Sequence, residues 1–233
     1  MSDQKKFELS PSISIVAAGV LIAGAIVFVN RYPAAQSAAA AAGGTGATAT
    51  AEVPAPSSSD HIQGSPQAPI VLVEYSDFQC PYCQLIYPEL KDIVQKSNGQ
   101  VAWVMREFPL YQIHPNALPA AEAAECLAAQ LGNSAWWSFA GDDFNNQSEI
   151  GTSFFSAEAQ KLGANMTQYN ACVASSTYQT KIEGQIAEAE NNGGNGTPYT
   201  VVINTKTGKQ YPVSGAVPEA QLQSVINQAL ASQ

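Results

Sequence analysis

Ile70-Val71-Leu72-Val73-Glu74-Tyr75-Ser76-Asp77-Phe78-Gln79-Cys80-Pro81-Tyr82-Cys83 is the stretch whose reading decides the fold. Its first half is apolar and β-branched and follows Pro69, the pattern of a strand buried on both faces. The strand ends at a Cys-x-x-Cys turn. From Tyr82 to Lys96, Leu85, Ile86, Leu90, Ile93 and Val94 recur at helical spacing, and Ser97-Asn98-Gly99 closes the segment. Pro88 is expected to kink that helix. Working outward, Val101 to Phe108 reads as a second strand, and Pro119 to Leu131 as an Ala/Glu-rich helix with Pro at its start and Gly132 at its end. Trp136 to Ser175 reads as short helices and Thr177 to Asn191 as another. Tyr199 to Asn204 and Gln210 to Val213 form a hairpin around Lys206-Thr207-Gly208, and Pro218 to Leu230 is a last helix. The order βαβ, helices, ββα describes a split α/β unit with a helical insertion at about 115–190.

A dithiol catalyst needs two sulfurs close enough to bridge, one of them exposed, and a means of holding a thiolate. Cysteines three residues apart at a helix start supply the first two. Pro81 suits the first helical position, where an N–H is not needed, and stiffens the turn. Cys80 then sits where unpaired N–H groups and the helix dipole favour a negative sulfur, which makes it the expected nucleophile. Cys83, one turn inside, is the expected resolving thiol. Two other readings use the same residues. A Cys-x-x-Cys is also half of a zinc site, but Cys126, Cys172, His61 and His114 offer no paired second half. Two purely structural cysteines are the other, and the position between a buried strand and a helix argues against both.

The run Val73 to Cys83, the Gly196-Thr197-Pro198 that precedes a strand, and Ala120 to Ala128 with its cysteine together resemble the DsbA-like branch of the thioredoxin superfamily. The resemblance covers nearly all of 61–233. It implies a thioredoxin-like α/β fold with a helical insertion and a protein thiol–disulfide oxidoreductase without cofactor or metal. It also implies that Pro198 is cis and faces the dithiol, with the Thr197 backbone pairing to an extended substrate. The residues alone favour an ordinary trans proline at a strand start. Glu74, six residues before Cys80, is by the same resemblance an acid that exchanges protons with the resolving cysteine. Burial would raise its pKa, as suits a proton acceptor, whereas a solvated strand-end acid would be ordinary. Pro81 and Tyr82 lie where substrate would meet the motif. The most oxidising relatives carry His where this chain has Tyr82, and Tyr lends the thiolate no positive charge. The direction of electron flow, oxidase or reductase/isomerase, is therefore open, and a metal-binding thioredoxin-fold module is a third, non-catalytic reading.

Cys126 and Cys172 fall in separate helices of the insertion. In an oxidising compartment a bridge between them would close a loop of about 47 residues, worth roughly 4 kcal/mol in the chain-entropy model. Two buried free thiols are the alternative. Asp77 is expected near the surface as a turn or cap residue, and His114 as a capping or otherwise satisfied residue. Trp136 and Trp137 read as insertion core or interface. Asn146, Asn165 and Asn195 head N-x-S/T sequons.

The start of the chain sets the compartment. No charge lies between Glu8 and Arg31, and the apolar run there is long enough to cross a bilayer as a helix. It outlasts the usual signal-peptide core, which favours an uncleaved anchor over a leader cut after Tyr32. Lys5 and Lys6 before it place the N-terminus in the cytoplasm. The expected layout is a cytoplasmic tail at 1–10, a single-pass anchor at 11–30, a flexible Ala/Gly/Pro/Ser-rich linker at 31–60 and the catalytic domain at 61–233 on the extracytoplasmic side, the periplasm. Partners would be unfolded exported proteins and a membrane redox partner. Ten Lys+Arg against nineteen Asp+Glu give a net charge of −9, the wrong sign for nucleic-acid phosphates.

Overall fold

The computed structural model describes residues 52–232. The proposed tail, the anchor and the linker up to residue 51 lie outside the described residues. Among the described residues, no helix is long and apolar enough to cross a membrane.

The sheet contains β1 (His61–Gln63), β2 (Ile70–Ser76), β3 (Val101–Glu107), β4 (Tyr199–Asn204) and β5 (Gln210–Ser214). Its order is β1-β3-β2-β4-β5. β2 and β3 are parallel, joined across one face by α1 (Pro81–Lys96), while the β1–β3, β2–β4 and β4–β5 pairs are antiparallel. Every residue of β2, β3 and β4 is buried, as continuous apolar runs require. Alternation divides them between two cores. Ile70 and Leu72 join Ile86, Leu90 and Ile93 of α1 on one face; Val71, Val73 and Tyr75 face the other. α1 runs unbroken through Pro88 and closes at Ser97, whose hydroxyl donates to Val94 O (2.8 Å) and accepts Val101 N–H (3.1 Å). Asn98 and Gly99, at φ 52° and 81°, make the left-handed turn into β3.

Between β3 and β4 lie α2 (Ala117–Leu131), α3 (Asn133–Asn145), α4 (Thr152–Lys161), α5 (Met166–Ala174) and α6 (Gln179–Asn191); α7 (Glu219–Ala231) ends the described chain. Pro119 is the third residue of α2 rather than its first, a difference of two residues at a frayed end. The first four of these helices extend the core on the α1 side through Leu127, Trp136, Phe155 and Tyr169 respectively. α6 packs instead on the opposite face, through Ala189 and Ile186, so it belongs to the sheet framework and the insertion ends with α5. Cys126 of α2 and Cys172 of α5 are joined in a disulfide with Cα atoms 5.8 Å apart.

The domain begins earlier than the composition implies. Val53 is buried in the second core, and Gln210 clasps its backbone in both directions, accepting Val53 N–H (3.0 Å) and donating to Val53 O (2.8 Å). Arg106 donates to Pro54 O (3.2 Å) and holds Asp60 through Nε (2.8 Å) and Nη2 (3.0 Å). Residues 52–60, expected as the last part of a flexible linker, therefore form a strap on the sheet. Polar side chains carry it, which is why a search for apolar core residues passes over it. β1, only three residues long, is missed for a related reason: it has no alternation long enough to read.

Unfolding without reductant should show the bridge directly. Denatured, unreduced protein carrying Cys80→Ser and Cys83→Ser is expected to contain no titratable thiol. Replacing Cys126 and Cys172 by Ala should lower the urea midpoint by the equivalent of about 2–4 kcal/mol.

Candidate active site

β2 delivers the chain into a tight turn before α1. Asp77 builds that turn: its Oδ1 accepts Gln79 N–H (2.7 Å) and its carbonyl accepts Cys80 N–H (3.0 Å), the self-capping geometry for which Asp is suited. Its Oδ2 accepts Leu110 N–H (2.8 Å) and bonds His114 Nδ1 (2.8 Å). Asp77 is thus a turn residue as expected, but a buried one, because the loop after β3 folds over it. His114 is satisfied by that bond. Cys80 is the N-cap of α1 and Pro81 its first residue. Cys80 keeps 4% of its surface exposed and Cys83 none; both are free thiols.

The two sulfurs differ in acidity. A hydrogen bond from the Cys83 thiol, helped by Thr197 and the backbone N–H groups of Cys83 and Tyr82, outweighs partial burial and brings Cys80 down to about 6. Burial pushes Cys83 far up, and the hydrogen bond to Cys80 and the charge of Glu74 push the same way. Glu74 lies on the α1 side of β2, fully buried. Burial raises it to about 7, against the pull of Ser76 and Trp103. Trp103 Nε1 donates to Glu74 Oε2 (2.9 Å), and Oε1 has no partner among the described residues.

Across the turn the Thr197–Pro198 peptide is cis, and the Cys80 thiol reaches Thr197 O at 3.4 Å. Pro198 directly precedes β4, and its carbonyl accepts Gly215 N–H (2.9 Å). Tyr82 is 61% exposed and Leu85 62%; in the loop bound to Asp77, Tyr111 and Ile113 are also exposed. Cys80, Cys83, Glu74, Pro81, Tyr82, Thr197 and Pro198 are therefore gathered at one end of the sheet, while the Cys126–Cys172 pair lies in the insertion. Among the described residues, no group of three or more His, Cys, Asp or Glu side chains is arranged to hold a metal.

Two neighbours have no signal in the sequence. Trp103 reads only as a strand residue, and the β2–β3 register is what brings it to Glu74. Gln147, in the loop after α3, donates through Nε2 to both Phe78 O and Cys80 O, each at 2.9 Å. A partner 67 residues from Cys80 leaves no local pattern.

A family model described as Thioredoxin matches residues 57–228. DsbA2 of Pseudomonas aeruginosa superposes with a TM-score of 0.57 at 26% identity, covering 76% of this chain and 97% of that one. α-DsbA1 of Wolbachia pipientis gives 0.64 at 22%, over 75% and 92% of the two chains, and the catalytic domain of Proteus mirabilis ScsC 0.62 at 19%, over 76% and 92%; these two likenesses are of fold. Among curated proteins, Na(+)/H(+) antiporter NhaA 1 of Mycolicibacterium gilvum is 30% identical over 155 residues, 66% of this chain but 24% of its own length. The namesake in Salinispora arenicola is 28% identical over 199 residues, 84% of this chain and 30% of its own. The chain thus spans about a quarter of the length of such relatives. The match over 57–228, with the cis Thr197–Pro198 peptide beside a Cys-x-x-Cys helix start, establishes that the chain belongs to the thioredoxin family, in the DsbA-like form of its fold.

Proposed function

We propose that the protein is a thiol–disulfide oxidoreductase that oxidises dithiols of exported polypeptides, with Cys80 as the exchanging sulfur and Cys83 as the resolving one. The observation that carries this reading is the placement of two free sulfurs one helical turn apart, Cys80 at the N-cap of α1 beside the cis Thr197–Pro198 peptide and Cys83 sealed behind it. In the oxidising direction a substrate thiolate attacks Sγ of Cys80 in the Cys80–Cys83 disulfide. The S–S bond breaks, Cys83 leaves with the electron pair, and Glu74 supplies its proton. A second substrate thiolate then attacks the substrate sulfur of the mixed disulfide and expels Cys80 as a thiolate. The substrate is oxidised by two electrons and the enzyme dithiol holds them. A leaving group stable as an anion draws the reaction this way. With Tyr82 in place of His no side-chain cation adds to the Cys83 thiol, Thr197 and the backbone N–H groups that bring Cys80 to about 6.

Substrate pairing is assigned to the Thr197 backbone, next to the Cys80 sulfur. Exposed Tyr82 and Leu85 suit the apolar side chains that an unfolded polypeptide presents. An uncharged run between Glu8 and Arg31 supports anchoring in the cell membrane with the domain outside, and a membrane redox partner would then take the two electrons onward. The relatives that carry an antiporter name and a comparable stretch support a place at a membrane.

Three measurements test the reading. Cys80→Ser should abolish exchange, and Cys83→Ser should accumulate mixed disulfides; retained turnover in the first variant refutes the assignment. The pH dependence of Cys80 alkylation should show a midpoint near 6, and equilibration with glutathione should leave the dithiol more readily reduced than glutathione disulfide if the protein is an oxidase. Glu74 is raised from 4.5 to about 7, so the folded state binds its proton more tightly than the unfolded state and stability falls as pH rises through that window. Glu74→Gln should therefore unfold at higher denaturant than the parent at pH 8, by the equivalent of roughly 1–3 kcal/mol, match it near pH 4, and resolve mixed disulfides more slowly.

A further inference from the structure

The turn that carries Cys80 is held from outside the thioredoxin framework by side-chain amides. Gln147 Nε2 lies 2.9 Å from Phe78 O and 2.9 Å from Cys80 O. Because both partners are carbonyls, the amide must present its NH2 group to them. The two N–H bonds of one planar amide diverge at a set angle, so a single side chain fixes the spacing of two carbonyls that are two residues apart. The bonding is reciprocated. Gln84, on the first turn of α1, donates to Phe144 O at 2.7 Å, and Gln79 Oε1 accepts Asn116 N–H at 2.8 Å. Asn116 in turn donates to Ile150 O at 3.2 Å. Residues 144–150 of the insertion thus grip the turn immediately before and after the sulfur.

We propose that Gln147 is a positioning residue of the dithiol site: from the insertion it sets the pitch of the Phe78–Cys83 turn, and through it where the Cys80 sulfur stands relative to the N-terminal end of α1 and to Thr197 O. Two physical effects run in one direction. The Cys80 carbonyl oxygen belongs to the same residue as the thiolate and carries partial negative charge; Gln147 together with Gln84 N–H (3.1 Å) covers it with donors and lowers the repulsion a negative sulfur meets. With those donors gone, the carbonyls turn toward other partners, the turn relaxes, and the sulfur loses its set position at the helix N-terminus, where unpaired N–H groups and the dipole favour the thiolate. The inference rests on the dithiol reading above, but its readout does not require substrate turnover.

The test compares Gln147→Met, which keeps the volume and removes both donors, with Asn133→Ala. Asn133 is a matched control: its side chain also makes two bonds to backbone, accepting Ile62 N–H (3.0 Å) and donating to Ile62 O (2.9 Å), and so ties the insertion to β1 rather than to the turn. In the full-length reduced protein, both variants are expected to lose thermal stability. Only Gln147→Met should shift the pH midpoint of Cys80 alkylation upward, cutting the thiolate fraction below the midpoint by roughly three- to tenfold, the scale of one or two neutral hydrogen bonds, and shift the glutathione equilibrium toward the disulfide by a similar factor. Gln147→Ser, which leaves room for water at the two carbonyls, keeps the test available where Met does not fold; water donates to the carbonyls but does not fix their spacing, so the midpoint is expected to move the same way by a smaller factor. An unchanged midpoint in whichever Gln147 variant folds, or an equal shift in Asn133→Ala, overturns the proposal. Should Cys80 in the parent protein fail to exchange with any disulfide, it is the function that falls, and the midpoint comparison still stands on its own.

Discussion

β2 is buried along both faces, and the arrangement of the molecule follows from what that does to its polar residues. Side chains alternate across a strand, so Glu74 must emerge among the residues that pack on α1, and Tyr75 among those that pack on α6. Neither reaches water. Glu74 meets Trp103 and the space beside Cys83, and Tyr75 donates to Glu188, which also pairs with Arg106. One strand thus supplies an isolated acid to the dithiol and a phenol to an ion-paired network that binds the strap. A slip of one residue in its register would exchange these two roles and bury neither correctly.

The contrast between the cysteines has the same origin. Cys80 is the last residue before the helix and lies where N–H groups are still unpaired; Cys83 is inside the first turn, sealed from solvent and next to an acid. A shared hydrogen bond widens the gap, since the proton that stabilises sulfur at one position is the one the other must keep. Glu74, raised to about 7, stands between the two acidities, which is the basis of the proton-carrying role proposed for it. Moving that acid to the surface would return it to the ordinary carboxylate range and remove that basis.

Much of this was legible in the sequence because the responsible features are local. The apolar run 70–75, the Cys-Pro-Tyr-Cys turn and the helical spacing after it lie within one stretch, and Thr197-Pro198 stands directly before its strand. What escaped depends on contacts between distant segments. Residues 52–60 have the composition of a linker, yet they are held by Gln210 and Arg106, whose reach no window of sequence contains. Asp77 read as a surface turn residue because the loop that covers it begins some thirty residues later. α6 read as part of the insertion because helix periodicity does not say which face of a sheet a helix covers; the positions of Ile186 and Ala189 in the second core decide it.

The insertion is held to the catalytic turn at a cost that explains its cross-link. Asp143 of α3 and Glu107 at the end of β3 are both buried, and burial raises the one to about 8 and the other far above its usual range. The charge of neighbouring Asp77 adds to burial at Asp143, and that of Glu125 adds to it at Glu107. A protonated buried acid with poorly satisfied oxygens still weakens the interface that contains it. Against this stand the contacts of Phe78 with Trp136, Phe139 and Phe144, at centroid distances of 5.4–6.1 Å, and the glutamine bonds to the turn. Those contacts require α3 to stay in register with α2, on which it packs. The Cys126–Cys172 bridge ties α2 to α5, limiting how far the insertion can open. A disulfide remote from the exchanging sulfurs therefore supports the surface that Phe78 and Cys80 rest on, without taking part in the exchange itself.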